Sequence, residues 1–419
     1  MDGEKNMDYQ IVRGMHDILP REISKWRRVE KSSEVVLRRF GYEEIRTPVL
    51  EESRLFERSV GDTTDIVEKE MYTFPDRKGR KLALRPEGTA SVVRAYLEGG
   101  FLQKERVSRL FYYGPMFRYD RPQKGRYRQF YQLGVELFGG GHPFFDGEAL
   151  SLLYELLKPL INKELYFALN GIGCRACRER YAVTLKQHFA HAEGLCEDCV
   201  RRLEKNPLRL LDCKVPSCRE AVKTVPAVDD VVCESCRAHF EGVREYCEKT
   251  GLPVRVTPTL VRGLDYYTKT VFEAYVAGDD NAIAAGGRYD DLVAQLGGPS
   301  VPAVGFAVGI ERLVELMEEG GTETRAVRAF FLGDSARKEG VRLVAALRGA
   351  GIAVEADYEE RGFRSHLKGA GREGVRWCMV LGDDEIAARK VLIKDMHDGS
   401  QVEVAFDELV PRLKEMTGC

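Results

Sequence analysis

At 419 residues the chain is too long for one ordinary domain and can bury more than one core. Hydrophobic residues make up 44% and charged residues 31%, the balance of a soluble globular protein, and no apolar run is long enough to span a bilayer. A formal net charge of -2 gives no global attraction to nucleic acid, so any RNA contact has to come from a local basic surface such as residues 118–128. The stretch MDGEKNMDYQ carries neither an apolar core nor an arginine-rich amphipathic pattern, so no targeting signal is read there and the cytoplasm is the expected compartment.

Residues 9–20 read as an extended lead-in ending at Pro20. Over 23–40, Ile23, Trp26, Val29, Val36, Leu37 and Phe40 recur at mostly helical spacing and Gly41 marks a stop, which predicts one amphipathic helix. A strand over 42–46 follows, ahead of Pro48. LALRPEGTASVVRAYL (82–97) predicts a short strand, a turn over 85–88 and a helix opening near Thr89. Glu87 and Thr89 then stand at a strand-to-helix junction, where amides and side chains can converge on a ligand. Taken alone, Thr89 reads as a helix cap and Glu87 as a solvated turn residue.

The stretch FYYGPMFRYDRPQKGRYRQFYQLGVELF (111–138) predicts two aromatic-rich strands joined by a long basic loop around Pro122 and Gly125. Arg118 ends the first strand, Arg121 and Arg126 ride on the loop, and Gln132 and Glu136 lie on one face of the second strand. Planar guanidinium groups suit phosphate oxygens, and a carboxylate beside a carboxamide suits a small polar ligand. The plain alternative is an exposed hairpin kept soluble by its arginines.

After a mostly apolar helical stretch and a strand (LYFALNGIG) the composition changes over about 171–255. Nine of the eleven cysteines fall between 174 and 247. Eight of them pair as Cys174 with Cys177, Cys196 with Cys199, Cys213 with Cys218 and Cys233 with Cys236. Four pairs can close two tetrahedral sites of four thiolates each, with zinc the commonest occupant; reduced thiols without metal are the alternative.

LVRGLDYYTKTVFE (260–273) contributes Arg262, Asp265, Tyr266 and Tyr267; adjacent tyrosines on a strand would point to opposite faces, one into a pocket. AAGGRYDDL (284–292) follows, with Gly286 and Gly287 permitting close backbone approach ahead of Arg288 and Tyr289. VPAVGFAVGIERL (301–313) reads as a glycine-rich strand feeding a helix that opens at Arg312. Beyond the acidic break at 318–325, strands and helices alternate in a compact α/β unit with no glycine-rich phosphate loop after its first strand.

The segments 41–50, 111–138 and 301–313 resemble motifs 1, 2 and 3 of the class II aminoacyl-tRNA synthetases, and 260–273 and 284–292 resemble the signatures of the histidyl-tRNA synthetases among them. The resemblance implies an α+β fold: an antiparallel class II sheet flanked by helices, a helical cysteine-rich insertion and a C-terminal α/β anticodon-binding domain. It implies a catalytic domain over 1–325 containing the insertion at 171–255, an anticodon-binding domain over 326–419, and a homodimer built on motif 1.

The activity implied is ATP-dependent ligation of L-histidine to tRNA(His) through histidyl-adenylate, with Mg2+ on the ATP phosphates. By the same resemblance Arg118 and Arg262 are catalytic. Arg118, Arg126 and Arg312 bind ATP, while Arg121 and Gln123 touch tRNA. Glu87 and Thr89 hold the α-amino group; Glu136, Tyr266 and Tyr267 recognise the imidazole, with Gln132 beside them. Asp120 stands where most of the family have Glu. Two alternatives remain open at this point: a non-catalytic regulatory paralogue of histidine biosynthesis, which typically lacks the motif arginines and the C-terminal domain, and a stand-alone RNA-binding protein.

Overall fold

The hairpin read from residues 111–138 belongs to an eight-stranded, mainly antiparallel sheet in the first of two compact units, Met1–Glu319 and Gly320–Cys419. This computed structural model describes residues 9–61, 64–122, 125–190, 192, 194–318, 327–360 and 362–418. The first unit's strands are β1 (Glu43–Glu44), β2 (Leu50–Glu52), β3 (Thr73–Pro75), β4 (Lys81–Leu84), β5 (Ser108–Phe117) and β6 (Gln129–Phe138). They continue with β7 (Leu165–Gly173), β8 (Val254–Val256), β9 (Thr268–Val276), β10 (Ala284–Arg288) and β11 (Ala303–Gly309). The large sheet runs β1-β5-β6-β11-β10-β9-β7-β8, and β2-β4-β3 form a small one.

Side-chain alternation along β6 explains the sheet's two faces. Leu133, Val135 and Leu137 point into a core shared with Trp26, Val29, Val36 and Leu37 of the Pro20–Arg39 helix and with Leu150, Leu153 and Leu157 of the Phe144–Leu157 helix. Each fully buried leucine there contributes about 2 kcal/mol. Gln132, Gly134 and Glu136 point the other way, towards the aromatic cluster of Tyr112, Tyr266, Tyr267 and Tyr289. One face is covered by those two helices, and on the other the aromatic cluster packs with Val92, Val93 and Tyr96 of the Thr89–Glu98 helix beside the site.

The strand expected over 42–46 shrinks to the two-residue edge strand β1, parallel to β5, because the chain turns away towards Pro48. Between β7 and β8 the insertion is helical: Arg175–Phe189, Glu197–Lys205, Pro216–Val222 and Glu234–Thr250. Its last helix is tied to the sheet by a buried network. Asp146 accepts from Arg288 at 2.7 Å and lies 3.0 Å from Nε2 of His239. Arg288 therefore serves the core and not a pocket.

The second unit has its own five-stranded sheet: β12 (Val327–Phe331), β13 (Val354–Asp357), β14 (Trp377–Leu381), β15 (Lys390–Asp395) and β16 (Gln401–Ala405), in the order β13-β12-β14-β15-β16. Pairs β12–β13 and β12–β14 are parallel, crossed by the helices Asp334–Gly349 and Phe363–Arg372. The antiparallel β16 and the closing helix Leu409–Thr417 extend beyond the elements read from the sequence. No helix among the described residues is long and apolar enough to cross a membrane.

Candidate active site

The polar face of the large sheet floors a cavity of about 750 Å³. It brings together Glu87, Thr89, Arg118, Arg126, Gln132, Arg262, Tyr266, Tyr267 and Arg312, which lie far apart in the chain. Arg121 is exposed and not among the lining residues, and Gln123 lies outside the described residues.

The floor follows from strand register. Gly305 of β11 stands opposite Glu136 of β6, and Gly134 opposite Tyr112 of β5. A Cβ on Gly305 would overlap a Glu136 carboxylate oxygen, so only glycine lets that carboxylate lie flat beneath the cavity. Glu136 is buried; it accepts from the Thr89 hydroxyl at 2.7 Å and from the Tyr289 hydroxyl. Burial pushes its carboxyl up to about 8, against the opposing pull of those two hydroxyls. Tyr289 is the residue the sequence left without a role: only the fold brings its hydroxyl onto Glu136 of β6. The Gln132 amide oxygen is buried with no hydrogen-bond partner among the described residues.

Glu87 is buried, not solvated. Its carboxylate accepts from the backbone N–H of Thr89 at 2.7 Å and of Ala90 at 2.9 Å, so Glu87 itself caps the Thr89–Glu98 helix and Thr89 is that helix's first residue. Burial raises its carboxyl above the ordinary value. Tyr266 and Tyr267 also differ from expectation. They sit in a turn just before β9, both buried and both lining the cavity, with ring centroids 4.7 Å apart. The strand alternation does not apply to them.

Arg118, Arg126, Arg262 and Arg312 each have a partner in the walls. Arg118 donates through Nε to the Pro86 carbonyl at 2.8 Å, and its guanidinium lies 5.3 Å from the Phe130 ring centroid. Arg262 pairs with Glu273, Arg312 donates to Asp279 at 2.5 Å, and Arg126 donates to Asp120 at 3.1 Å. Asp120 also accepts from the Arg121 backbone N–H at 2.6 Å, so its short carboxylate organises the loop.

The cysteines gather as two clusters, Cys174, Cys177, Cys233 and Cys236, and Cys196, Cys199, Cys213 and Cys218, with the sulfurs of each within 4.8 Å of one another. Sγ separations of 3.5 Å for Cys174–Cys177 and 3.9 Å for Cys196–Cys213 are near the ~3.8 Å edge of a tetrahedral zinc–thiolate site. Backbone N–H groups also donate to sulfur, from Cys174 to Cys236, Cys233 to Cys177 and Cys196 to Cys218, each at 3.2 Å. Such contacts orient thiolate ligands.

Comparison with known proteins matches the family profile described as Histidyl-tRNA synthetase over residues 14–313 and that described as Anticodon binding domain over 327–416. The Histidine--tRNA ligase of Thermodesulfovibrio yellowstonii is 45% identical over 414 residues, covering 97% of this chain and 99% of that protein. That of Aquifex aeolicus is 44% identical, covering 96% and 100%. The apo histidyl-tRNA synthetase of S. aureus superposes with a TM-score of 0.81 at 36% identity, covering 97% of this chain and 100% of that one. A Bacillus halodurans structure titled as an ATP phosphoribosyltransferase regulatory subunit/histidyl-tRNA synthetase has a TM-score of 0.64 at 24% identity over 90% of this chain and 98% of its own, a likeness of fold alone. The five motifs, the paired sheets and these matches agree across nearly the whole chain, which belongs to the histidyl-tRNA synthetase family.

Proposed function

We propose that the protein activates L-histidine with ATP and transfers it to tRNA(His), and that the cavity on the large sheet performs the first step. The histidine carboxylate oxygen attacks the α-phosphorus and pyrophosphate departs; the terminal ribose hydroxyl of tRNA then attacks the carbonyl and AMP departs. The first step needs positive charge around phosphate oxygens and no protein nucleophile. Arg118 and Arg262 meet the α-phosphate and the reacting carboxylate, and Arg126 and Arg312 the outer phosphates, with Mg2+ neutralising further charge.

Glu87 has acceptor capacity beyond its two backbone bonds and, with Thr89 and the open Gln132 oxygen, takes the α-ammonium. A neutral imidazole presents one donor and one acceptor to Glu136 and the tyrosines, and buried partners of that kind reject substrates that cannot complete the bonds. Arg121 and Gln123 contact the tRNA acceptor end. The second unit, from about residue 326, binds the anticodon. We further propose a homodimer through the motif 1 region, a cytoplasmic location, and one zinc in each four-cysteine cluster, for which the donor set and spacing fit.

The convergence of Arg118, Arg126, Arg262 and Arg312 on a cavity also lined by Thr89, Tyr266, Tyr267 and Tyr289 carries this reading; Glu136 is not itself a lining residue and meets the cavity through its bonds to Thr89 and Tyr289. Histidine-dependent exchange of pyrophosphate into ATP tests it. Exchange with histidine and not with other amino acids is expected; folded protein with no exchange would favour the regulatory paralogue.

A further inference from the structure

The two cysteine clusters are placed differently with respect to the cavity. Cys196 and Cys213 line it, whereas none of Cys174, Cys177, Cys233 and Cys236 does. The latter cluster joins the end of β7 to the start of the Glu234–Thr250 helix, at the root of the insertion.

The segment between Cys199 and Cys213 is latched onto two segments that border the cavity, around Asp65 and around residues 263–265. Arg202 and Arg209 both donate to one oxygen of Asp65, at 3.0 and 3.2 Å. Arg209 also donates to the Gly263 carbonyl at 2.9 Å, and Asn206 donates to Asp265 at 2.8 Å. Both acceptors belong to the loop that carries Arg262. Asp212, immediately before Cys213, faces Arg209 and Arg262 electrostatically. The small apolar cluster beneath, with Leu208, Leu210 and Val222, is the kind of core that needs a staple to hold its shape.

We propose that the Cys196, Cys199, Cys213 and Cys218 cluster is a metal-dependent wall of the catalytic cavity: its zinc holds the Arg202–Asp212 segment in place, and through it the position of Arg262, so that metal occupancy of this one cluster sets the rate of histidine activation. The inference rests on the zinc reading above. Arg262 touches the reacting groups; Arg202, Arg209 and Asp212 are positioning residues. The cluster at the root holds the insertion to the sheet and leaves the cavity wall to its neighbour.

Three full-length proteins test this: the wild type, Cys213→Ser/Cys218→Ser, and Asp65→Ala, each analysed for zinc per chain and for histidine-dependent pyrophosphate exchange. The wild type is expected to hold two zinc ions, one per cluster. The double cysteine variant loses one of them. Asp65→Ala keeps both while releasing the latch, so it remains informative even where the cysteine variant fails to fold. In both variants kcat falls about tenfold and the KM for histidine moves less, since displacement of Arg262 acts on the transition state. Wild-type kcat in Asp65→Ala, or in a folded cysteine variant that has lost its zinc, overturns the inference and leaves the synthetase and zinc readings standing. A wild-type chain with no zinc overturns the metal reading on which it rests.

Discussion

On the proposed reading, Glu136 carries the chemistry of amino-acid choice in one side chain. Burial pushes its carboxyl up to about 8, above the value of about 6.5 for a free imidazole. Where the imidazole binds against Glu136 as proposed, the acid is protonated and the ligand neutral between those values, and the pair shares one proton. Below the window histidine must shed a proton to bind; above it the pair must take one up. Histidine affinity is therefore expected to plateau between the two and to weaken on both sides. Glu136→Gln cannot ionise, so isothermal titration across pH should show the acidic limb kept and the alkaline fall near 8 lost; an unchanged alkaline fall would count against this role. Arg262→His should lower adenylate formation far more than histidine binding, measured by single-turnover kinetics against equilibrium titration. Equal losses would remove Arg262 from the transition state. At this scale the residues alone left Glu87 as a solvated turn residue, and it was the resemblance that placed Glu87 and Arg118 in one site, where both line the cavity. The sequence could not disclose that Tyr266 and Tyr267 leave the strand pattern, because a turn obeys no two-residue period.

Strand pairing turns these residues into a floor. Gly305 lies across from Glu136, and any side chain there would drive the carboxylate aside. Gly305→Ala is expected to cost about 1–3 kcal/mol by overpacking. Its kcat/KM for histidine should fall by more than its melting temperature alone explains, as followed by calorimetry and pyrophosphate exchange. The hairpin β5–β6, the Pro20–Arg39 helix and the glycine-rich β11 were legible because each carries a strong local pattern: aromatic strands around a Pro/Gly loop, a helical stripe, a run of small residues. The partnership of Tyr289 with Glu136 was not, because β10 meets β6 only through β11 in the sheet order, a tertiary fact with no local signal. The same holds for Asp146, Arg288 and His239, whose buried network joins three distant segments.

The whole molecule divides its labour between two units with separate cores, one around Leu150 and Leu153 and one around Phe331, Val344 and Met379. Removing residues 326–419 should therefore weaken charging of tRNA, measured by acylation of tRNA(His), while pyrophosphate exchange survives. Loss of both together would mean that the first unit depends on the second for its activity. The insertion's cysteine pairs announced their grouping through spacing, but which pairs converge, and that one cluster faces the cavity, depended on how four short helices fold back.

The central spatial claim is that arginines from distant segments surround one phosphate chain with histidine held over Glu136. A crystal structure of the protein with a non-hydrolysable histidyl-adenylate analogue tests it most directly. The account predicts Arg118 and Arg262 on the group standing in for the α-phosphate and the imidazole hydrogen-bonded within the Glu136 and tyrosine floor. An analogue bound with its phosphate mimic away from those arginines, or with its imidazole pointing out of the floor, would contradict it.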